Sequence, residues 1–239
     1  MKTSKINLNF ISSRKAIVIL FAVAISFTSC KDDDDDDVMT PAPTYANMMV
    51  THASPDAPGV DLLVDNVKLN TAALNFPDNT AYIQVASGNR NVKINVAGTS
   101  TTVIDATLPL AANKNYSVFA IDSVSVISAL VIEDNLASPA AGKAHIRFIH
   151  LSPDAPAVDV ALDGGAVVFG DYTFTEYSTF TPLDAGTYDL EVRVAGTSMV
   201  ALDLDPVVLT AGKIYTVFAK GFLGGSGSQA LGAQIIVNK

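Results

Sequence analysis

From Tyr45 to the C-terminus, apolar residues recur with a period of two. Val92, Ile94 and Val96 alternate with Lys93 and Asn95, and Leu190, Val192 and Val194 alternate with Glu191 and Arg193. Val60, Leu62 and Val64 stand in the phase opposite to Asp61 and Asp65, as Val158, Val160 and Leu162 do to Asp159 and Asp163. Successive side chains of a strand point to opposite faces, so this pattern predicts strands with one buried face. Turn signals interrupt it at short intervals: Ser87-Gly88-Asn89, Ala97-Gly98-Thr99, Asp163-Gly164-Gly165, Asp184-Ala185-Gly186 and Ala211-Gly212-Lys213. No amphipathic helix of convincing length follows residue 30.

The pattern occurs twice. His52-Ala-Ser-Pro-Asp-Ala-Pro-Gly-Val-Asp61 returns 98 positions later as His150-Leu-Ser-Pro-Asp-Ala-Pro-Ala-Val-Asp159. The same offset relates Phe76 to Phe174, Gly88 to Gly186 and Val96-Ala-Gly-Thr-Ser100 to Val194-Ala-Gly-Thr-Ser198. One inserted residue then shifts it to 99, where Tyr116-Ser-Val-Phe-Ala120 matches Tyr215-Thr-Val-Phe-Ala219. So many ordered matches mark a duplicated unit, each copy large enough to support a core without disulfides. Seven or so short strands per copy, with connections too short for crossovers, predict an all-β protein of two tandem antiparallel β-sandwich domains, immunoglobulin-like or transthyretin-like, with strand order open. The expected organisation is a signal peptide over 1–29, an acidic tether over 30–44, sandwich repeats over 45–134 and 143–239, and a linker over 135–142 (Asn-Leu-Ala-Ser-Pro-Ala-Ala-Gly). Such a linker should restrict but not abolish relative motion of the domains.

The N-terminus reads as an address. Lys2, Lys5, Arg14 and Lys15 precede an apolar run from Ala16 to Phe27 that is too short for a mature membrane span. Phe27-Thr28-Ser29 leads into Cys30, the chain's single cysteine, where a bacterial lipobox places its lipid-modified residue. Lys31 and six aspartates, Asp32 to Asp37, follow. A block of like charges with nothing apolar to bury is expected to be a solvated tether. An extended aspartate run does not converge its carboxylates as a calcium loop does. Cys-Lys-Asp-Asp resembles the export signal of Bacteroidota surface lipoproteins, which implies that Lys31, Asp32 and Asp33 direct the chain to the outer face of the outer membrane.

Charge and composition narrow the function classes. The chain is 49% hydrophobic and 16% charged, with mean hydropathy +0.33 and formal net charge −9. That composition excludes wholesale disorder, and the acidity disfavours a nucleic-acid partner. Removing residues 1–29 leaves 11 Lys+Arg against 24 Asp+Glu, about −13, so electrostatics would not hold the mature chain on an anionic membrane. Acyl chains on Cys30, palmitate among them, are expected to do so, each buried methylene contributing about 0.8 kcal/mol. One cysteine excludes an intrachain disulfide, and three histidines limit any histidine-rich metal site.

The duplicated motif carries the most information. Met48, Val50 and His52 share one strand phase, as Ile146, Phe148 and His150 do, so both rings are expected to point inward. The Ser-Pro-Asp-Ala-Pro that follows is turn chemistry. Two readings stand side by side: a corner whose buried polar groups satisfy one another, and a recurring ligand or cation site. The candidate residues are His52, Ser54, Asp56 and Asp61, with His150, Ser152, Asp154 and Asp159. One histidine per copy is too few for a typical zinc site. This motif, with the Ala-Gly-Thr strand end and Tyr-x-Val-Phe-Ala, resembles the domain of unknown function numbered 4397, over about Tyr45 to Lys239. Members are extracytoplasmic bacterial proteins, often lipoproteins of Bacteroidota. The resemblance implies a β-sandwich and an exported location, and it brings no activity or catalytic residues.

No nucleophile elbow, zinc-protease helix, Walker loop or EF-hand pattern is present in the sequence. Gly224-Gly-Ser-Gly227 lacks the spacing of a phosphate loop, and His145 and His150 lie on opposite faces of a strand. Carboxylate pairs leave no motif. Tyr172, Phe174, Tyr177 and Phe180 form the densest aromatic cluster, and those left exposed are candidate partner contacts. The expectation is a non-catalytic, lipid-anchored envelope protein without a cofactor other than its covalent lipid. It binds an extracellular protein or glycan in an oligomeric state left open. The alternative is a carbohydrate-processing hydrolase.

Overall fold

The computed structural model describes residues 42–239; the signal segment, Cys30, Lys31, Asp32, Asp33 and most of the acidic tether lie outside the described residues. The first repeat forms β1 (Tyr45–His52), β2 (Val60–Val64), β3 (Val67–Lys68), β4 (Ile83–Ala86), β5 (Gly88–Val96), β6 (Thr102–Leu110), β7 (Asn115–Ile121) and β8 (Ser128–Asp134). The second forms β9 (Lys143–His150), β10 (Val158–Leu162), β11 (Val167–Tyr172), β12 (Thr181–Asp184), β13 (Gly186–Tyr188), β14 (Leu190–Val194), β15 (Val200–Asp203), β16 (Val207–Leu209), β17 (Ile214–Lys220) and β18 (Gly232–Val237). Among the described residues no helix is long and apolar enough to cross a membrane.

Each repeat is a sandwich of two four-stranded sheets, β4-β1-β7-β8 over β3-β2-β5-β6 and β12-β9-β17-β18 over β11-β10-β14-β15, and β13 pairs with β16 beside the second. Short connections make consecutive neighbours antiparallel, as expected, but one pair in each repeat departs from that pattern. β1 runs parallel to β7, and β9 parallel to β17. The partners of a parallel pair are far apart in sequence, and the chain between them builds the opposite sheet and one edge strand of their own, so no tight crossover is required. The tightest hairpin, β2 to β3, turns on Asp65 and Asn66 at φ of 49° and 66°, the left-handed pair that a two-residue loop between twisted strands needs.

Alternation explains the two sandwich cores. Met48, Val50, Val60, Leu62, Val92, Ile94 and Val118 meet in the first, and Ile146, Phe148, Val158, Val160, Val192 and Val217 in the second. The opposite faces of β1 and β7 are also apolar, and they pack against the opposite faces of β9 and β17. Met49, Phe119, Ile121, Ile149 and Phe218 form this third core, with the Phe119 and Phe218 rings edge to face at 6.0 Å. The four sheets therefore stack as layers, the inner two buried on both sides.

Within that third interface lies a closed polar network. The Arg147 guanidinium meets the Asp134 carboxylate at 2.7 Å, both fully buried. Its Nε donates to Thr216 and its Nη2 to Ser117, whose hydroxyl donates to Asp134. Tyr82 donates to Asp134 at 2.6 Å, and Asn238 joins Thr216 to Tyr82. The Phe180 ring covers the guanidinium at 4.5 Å. Burial raises the Tyr82 phenol's pKa, helped by the adjacent Asp134 charge.

Candidate functional site

The duplicated motif builds the corner at which the chain leaves one sheet for the other, from β1 to β2 and from β9 to β10. His52 and His150 close the strands that precede it and are fully buried. Each Nε2 lies 3.0 Å from a proline carbonyl six residues on, Pro58 and Pro156. A carbonyl only accepts, so Nε2 of each ring carries a proton and donates it there. Burial pushes both imidazoles below their ordinary pKa, against the raising effect of that carbonyl. Asp56 and Asp154 turn away from the histidines: they accept from the backbone N–H of Val124 and of Leu223, both at 2.8 Å, and so fasten the corner to the loop after β7 or β17. Asp61 and Asp159 accept from the N–H of Gly98 and of Gly196 at 2.9 Å, tying each corner to the next hairpin. Lys68 and the Gly98 N–H hold the Asp61 carboxyl below the usual range. Ser152 donates to the Gly221 carbonyl, whereas the Ser54 hydroxyl is buried without a partner among the described residues. The motif residues thus disperse to separate structural partners. Among the described residues, no three His, Cys, Asp or Glu side chains are placed to hold a metal ion.

Under the second corner the sandwich is open. His150, Pro156, Val192, Met199, Ala201 and Leu231 line an almost wholly apolar pocket of about 290 Å³. Met199 and Leu223 at its mouth are 66% and 54% exposed. Size and lining approach those of small-ligand pockets, commonly about 300–1,000 Å³. The strand pairings show why the first repeat differs. A bulge falls at the same place in both: Ile94 faces Ile104 and Asn95 faces Thr102, as Val192 faces Leu202 and Arg193 faces Val200. The bulged residue is Val103 in the first repeat, packed against the core with Ile127. Its counterpart Ala201 is shorter and lies on the pocket wall.

The opening continues down the side of the sandwich between β15 and β18. Leu202 is shared by the pocket and by a second cavity of about 440 Å³ that Leu204, Val207, Ala233 and Ile235 also line. Farther on, Asp163, Asp189, Asp203 and Asp205 line a third, of about 290 Å³. In the first repeat this seam is shut: β6 pairs with β5 along its whole length, Leu108 and Leu110 are buried, and Ala129 and Val131 of β8 pack on the same core. The pairings place the extra residue of the second repeat here. Leu110 faces Gly88 and Leu108 faces Arg90, as Leu209 faces Gly186 and Val207 faces Tyr188. Ala106 faces Val92, and Leu204 donates to the Leu190 carbonyl. Asp205-Pro206 therefore stands where the first repeat has Thr107 alone. Proline removes a ladder donor, and the one strand β6 becomes the two strands β15 and β16.

Charge changes with shape. In the first repeat Arg90 pairs with Asp65, and Lys93 approaches Asp105. The matching residues of the second are Tyr188 with Asp163 and Glu191 with Asp203, and Asp189 replaces Asn91. Arg193 is engaged by Glu191. Among the described residues, no Lys or Arg forms an ion pair with Asp163, Asp189, Asp203 or Asp205.

The sequence did not single out Met199, Ala201, Leu231, Asp189, Asp203 or Asp205, and it placed Asp163 only at a strand end and turn. The one-residue shift between the repeats was the available signal. Of the aromatic cluster, Tyr172 packs edge-on to Phe148 at 5.7 Å, Phe174 joins the core between the repeats, and Phe180 covers Arg147. Tyr177 remains 46% exposed.

None of the curated proteins matches the chain. Among solved structures, it is similar to CBMbc, a family CBM26 module of Eubacterium rectale Amy13K crystallised with maltoheptaose, at 8% identity and a TM-score of 0.28 over 80% of this chain and 96% of that one. The family model described as "Domain of unknown function (DUF4397)" matches residues 46–161 and again 152–239. These two overlapping matches cover both repeats, and the protein belongs to the DUF4397 family.

Proposed function

We propose that the protein is a non-catalytic binding lipoprotein of the outer membrane. It is anchored by lipid on Cys30, carried to the outer face by Lys31, Asp32 and Asp33, and presents its sandwiches to an extracellular partner. The observation that carries the binding role is the apolar pocket under the second corner. An opening with apolar walls at the end of a sandwich core is a place where a ligand gains contacts. The lining contains no aromatic platform for a sugar ring, which favours a protein over a glycan.

The binding test is capture from envelope extract by the chain lacking residues 1–30, beside the same chain carrying Ala201→Trp, which fills the pocket mouth. Retention by the parent and loss in the variant is expected. Equal retention would remove the pocket from the account. The address is tested separately: Cys30→Ala should release the protein from the membrane, and protease added to intact cells should remove the parent form. Resistance until the outer membrane is broken would contradict surface exposure.

A second reading, a carbohydrate-processing hydrolase, draws on the four aspartates that line one groove. It would require two of them to act as acid and as base or nucleophile across a glycosidic bond. Release of reducing sugar from envelope polysaccharide, lost in Asp203→Asn/Asp205→Asn, would support it.

A further inference from the structure

Resting on the pocket as a binding site, we propose that the open side of the second sandwich takes an extended peptide segment of a partner protein. The peptide places an aliphatic side chain under His150, Met199 and Ala201, and a lysine or arginine two to four residues away against Asp203 and Asp205.

Three independent features of this side define that occupant. The first is the pocket, whose nearly continuous apolar wall accepts an aliphatic group and offers a polar one almost no partner. The first repeat supplies the precedent for what fits: Val103 and Ile127, the chain's own aliphatic side chains, pack against the core at the equivalent end. The second is the rim. Among the described residues, β15 pairs only with β14 and β18 only with β17, so both strands bordering the groove are sheet edges with main-chain donors and acceptors facing outward. A peptide in strand conformation can bond to such an edge, which an alkyl amine cannot do.

The third is charge complementarity. Asp163, Asp189, Asp203 and Asp205 converge on the far end of the groove, and the residues that would match the neutralising cations of the first repeat are Tyr188 and Glu191. Asp203 and Asp205 follow Ala201 by two and four positions, a separation of about 7–13 Å along extended chain. That distance sets the spacing between the aliphatic anchor and the cation. The net negative charge of the chain adds long-range attraction for a basic segment.

The test uses the chain lacking residues 1–30 and fluorescently labelled, end-blocked pentapeptides: Leu-Thr-Val-Lys-Lys, its reversed order Lys-Lys-Val-Thr-Leu, and versions with Glu for Lys or Ser for Leu. At least one basic order should bind by anisotropy. Exchange of Lys for Glu, or of Leu for Ser, should weaken binding at least about tenfold, and added salt should weaken it further. Asp203→Asn/Asp205→Asn changes only exposed side chains and should reproduce the loss while leaving the melting temperature in place. Ala201→Trp should abolish the contribution of Leu. Binding that is indifferent to the Lys-to-Glu exchange, or absent for both basic orders, overturns the proposal. If envelope capture still depends on Ala201, the binding role stands and only the peptide assignment fails. If capture is also indifferent to Ala201→Trp, both fail.

Discussion

The two repeats share a motif, a strand order and a corner, and they differ along one side. In the first, β6 runs unbroken, Val103 and Ile127 pack on the core, and Arg90 and Lys93 face Asp65 and Asp105. In the second, Asp205-Pro206 splits the strand, Ala201 leaves a pocket, and among the described residues no Lys or Arg pairs with the acids. One additional residue and a handful of side-chain differences separate the open copy from the closed one. Closure and charge balance change together, which is the pattern expected if one copy supports the fold and the other meets a ligand.

The comparison is most severely broken at the joint. Arg147→Ala leaves Asp134 buried without its counter-charge and should cost about 3–5 kcal/mol in urea unfolding. The double variant Arg147→Met/Asp134→Leu should recover most of that loss. A loss under about 1 kcal/mol in the single variant would show that the network does not hold the repeats together.

Next in size is pH, which should act on both repeats alike. Both buried histidines have pKa values lowered by burial, so below pH about 6.5 the unfolded chain takes up protons that the folded chain does not. The contribution is fully present above that pH. It is lost as pH falls toward the depressed folded values, with a slope that steepens below pH 6.5 and cannot exceed about 1.4 kcal/mol per pH unit for each histidine. His52→Gln and His150→Gln should each remove about half of the slope between pH 6.5 and 5.5, and an unchanged slope in both would refute the assignment.

The corner aspartates sharpen the symmetry. Asp56→Ala and Asp154→Ala each remove one acceptor from a loop N–H and should cost about 1 kcal/mol apiece in thermal unfolding. A large asymmetry would mean that one corner does more than fasten a loop. The smallest effect tests the asymmetry itself. Val103→Ala should cost about 1 kcal/mol because it opens a void in a packed end. Deleting Pro206 should leave stability unchanged or raised by less than about 1 kcal/mol, because it restores the residue count of β6.

Much of this was legible in the sequence. Alternation located most of the strands, the duplicated motif located both corners, and the strand phase placed His52 and His150 inside. The parallel pairs were hidden because local pattern says nothing about partners far apart in the chain. The shared core did leave a trace: Met48-Met49-Val50, Ile146 through Leu151 and Ile214 through Ala219 lack clean alternation because both faces of those strands are buried. The groove was visible only as a shift from 98 to 99 between the repeats. That shift marks where a strand is interrupted, but not that the gap between two sheet edges stays open, because closure depends on side chains from β18 that no local spacing connects to β15.

The most direct test is backbone amide mapping of residues 42–239 titrated with Leu-Thr-Val-Lys-Lys and its reversed order. The account predicts shifts in Met199–Asp205, in Leu231–Val237 and at the pocket-lining His150, Val192 and Leu223, with Val103–Leu108 and Ile127–Asp134 unmoved. Equal shifts in the two repeats, or shifts confined to the first, would contradict it.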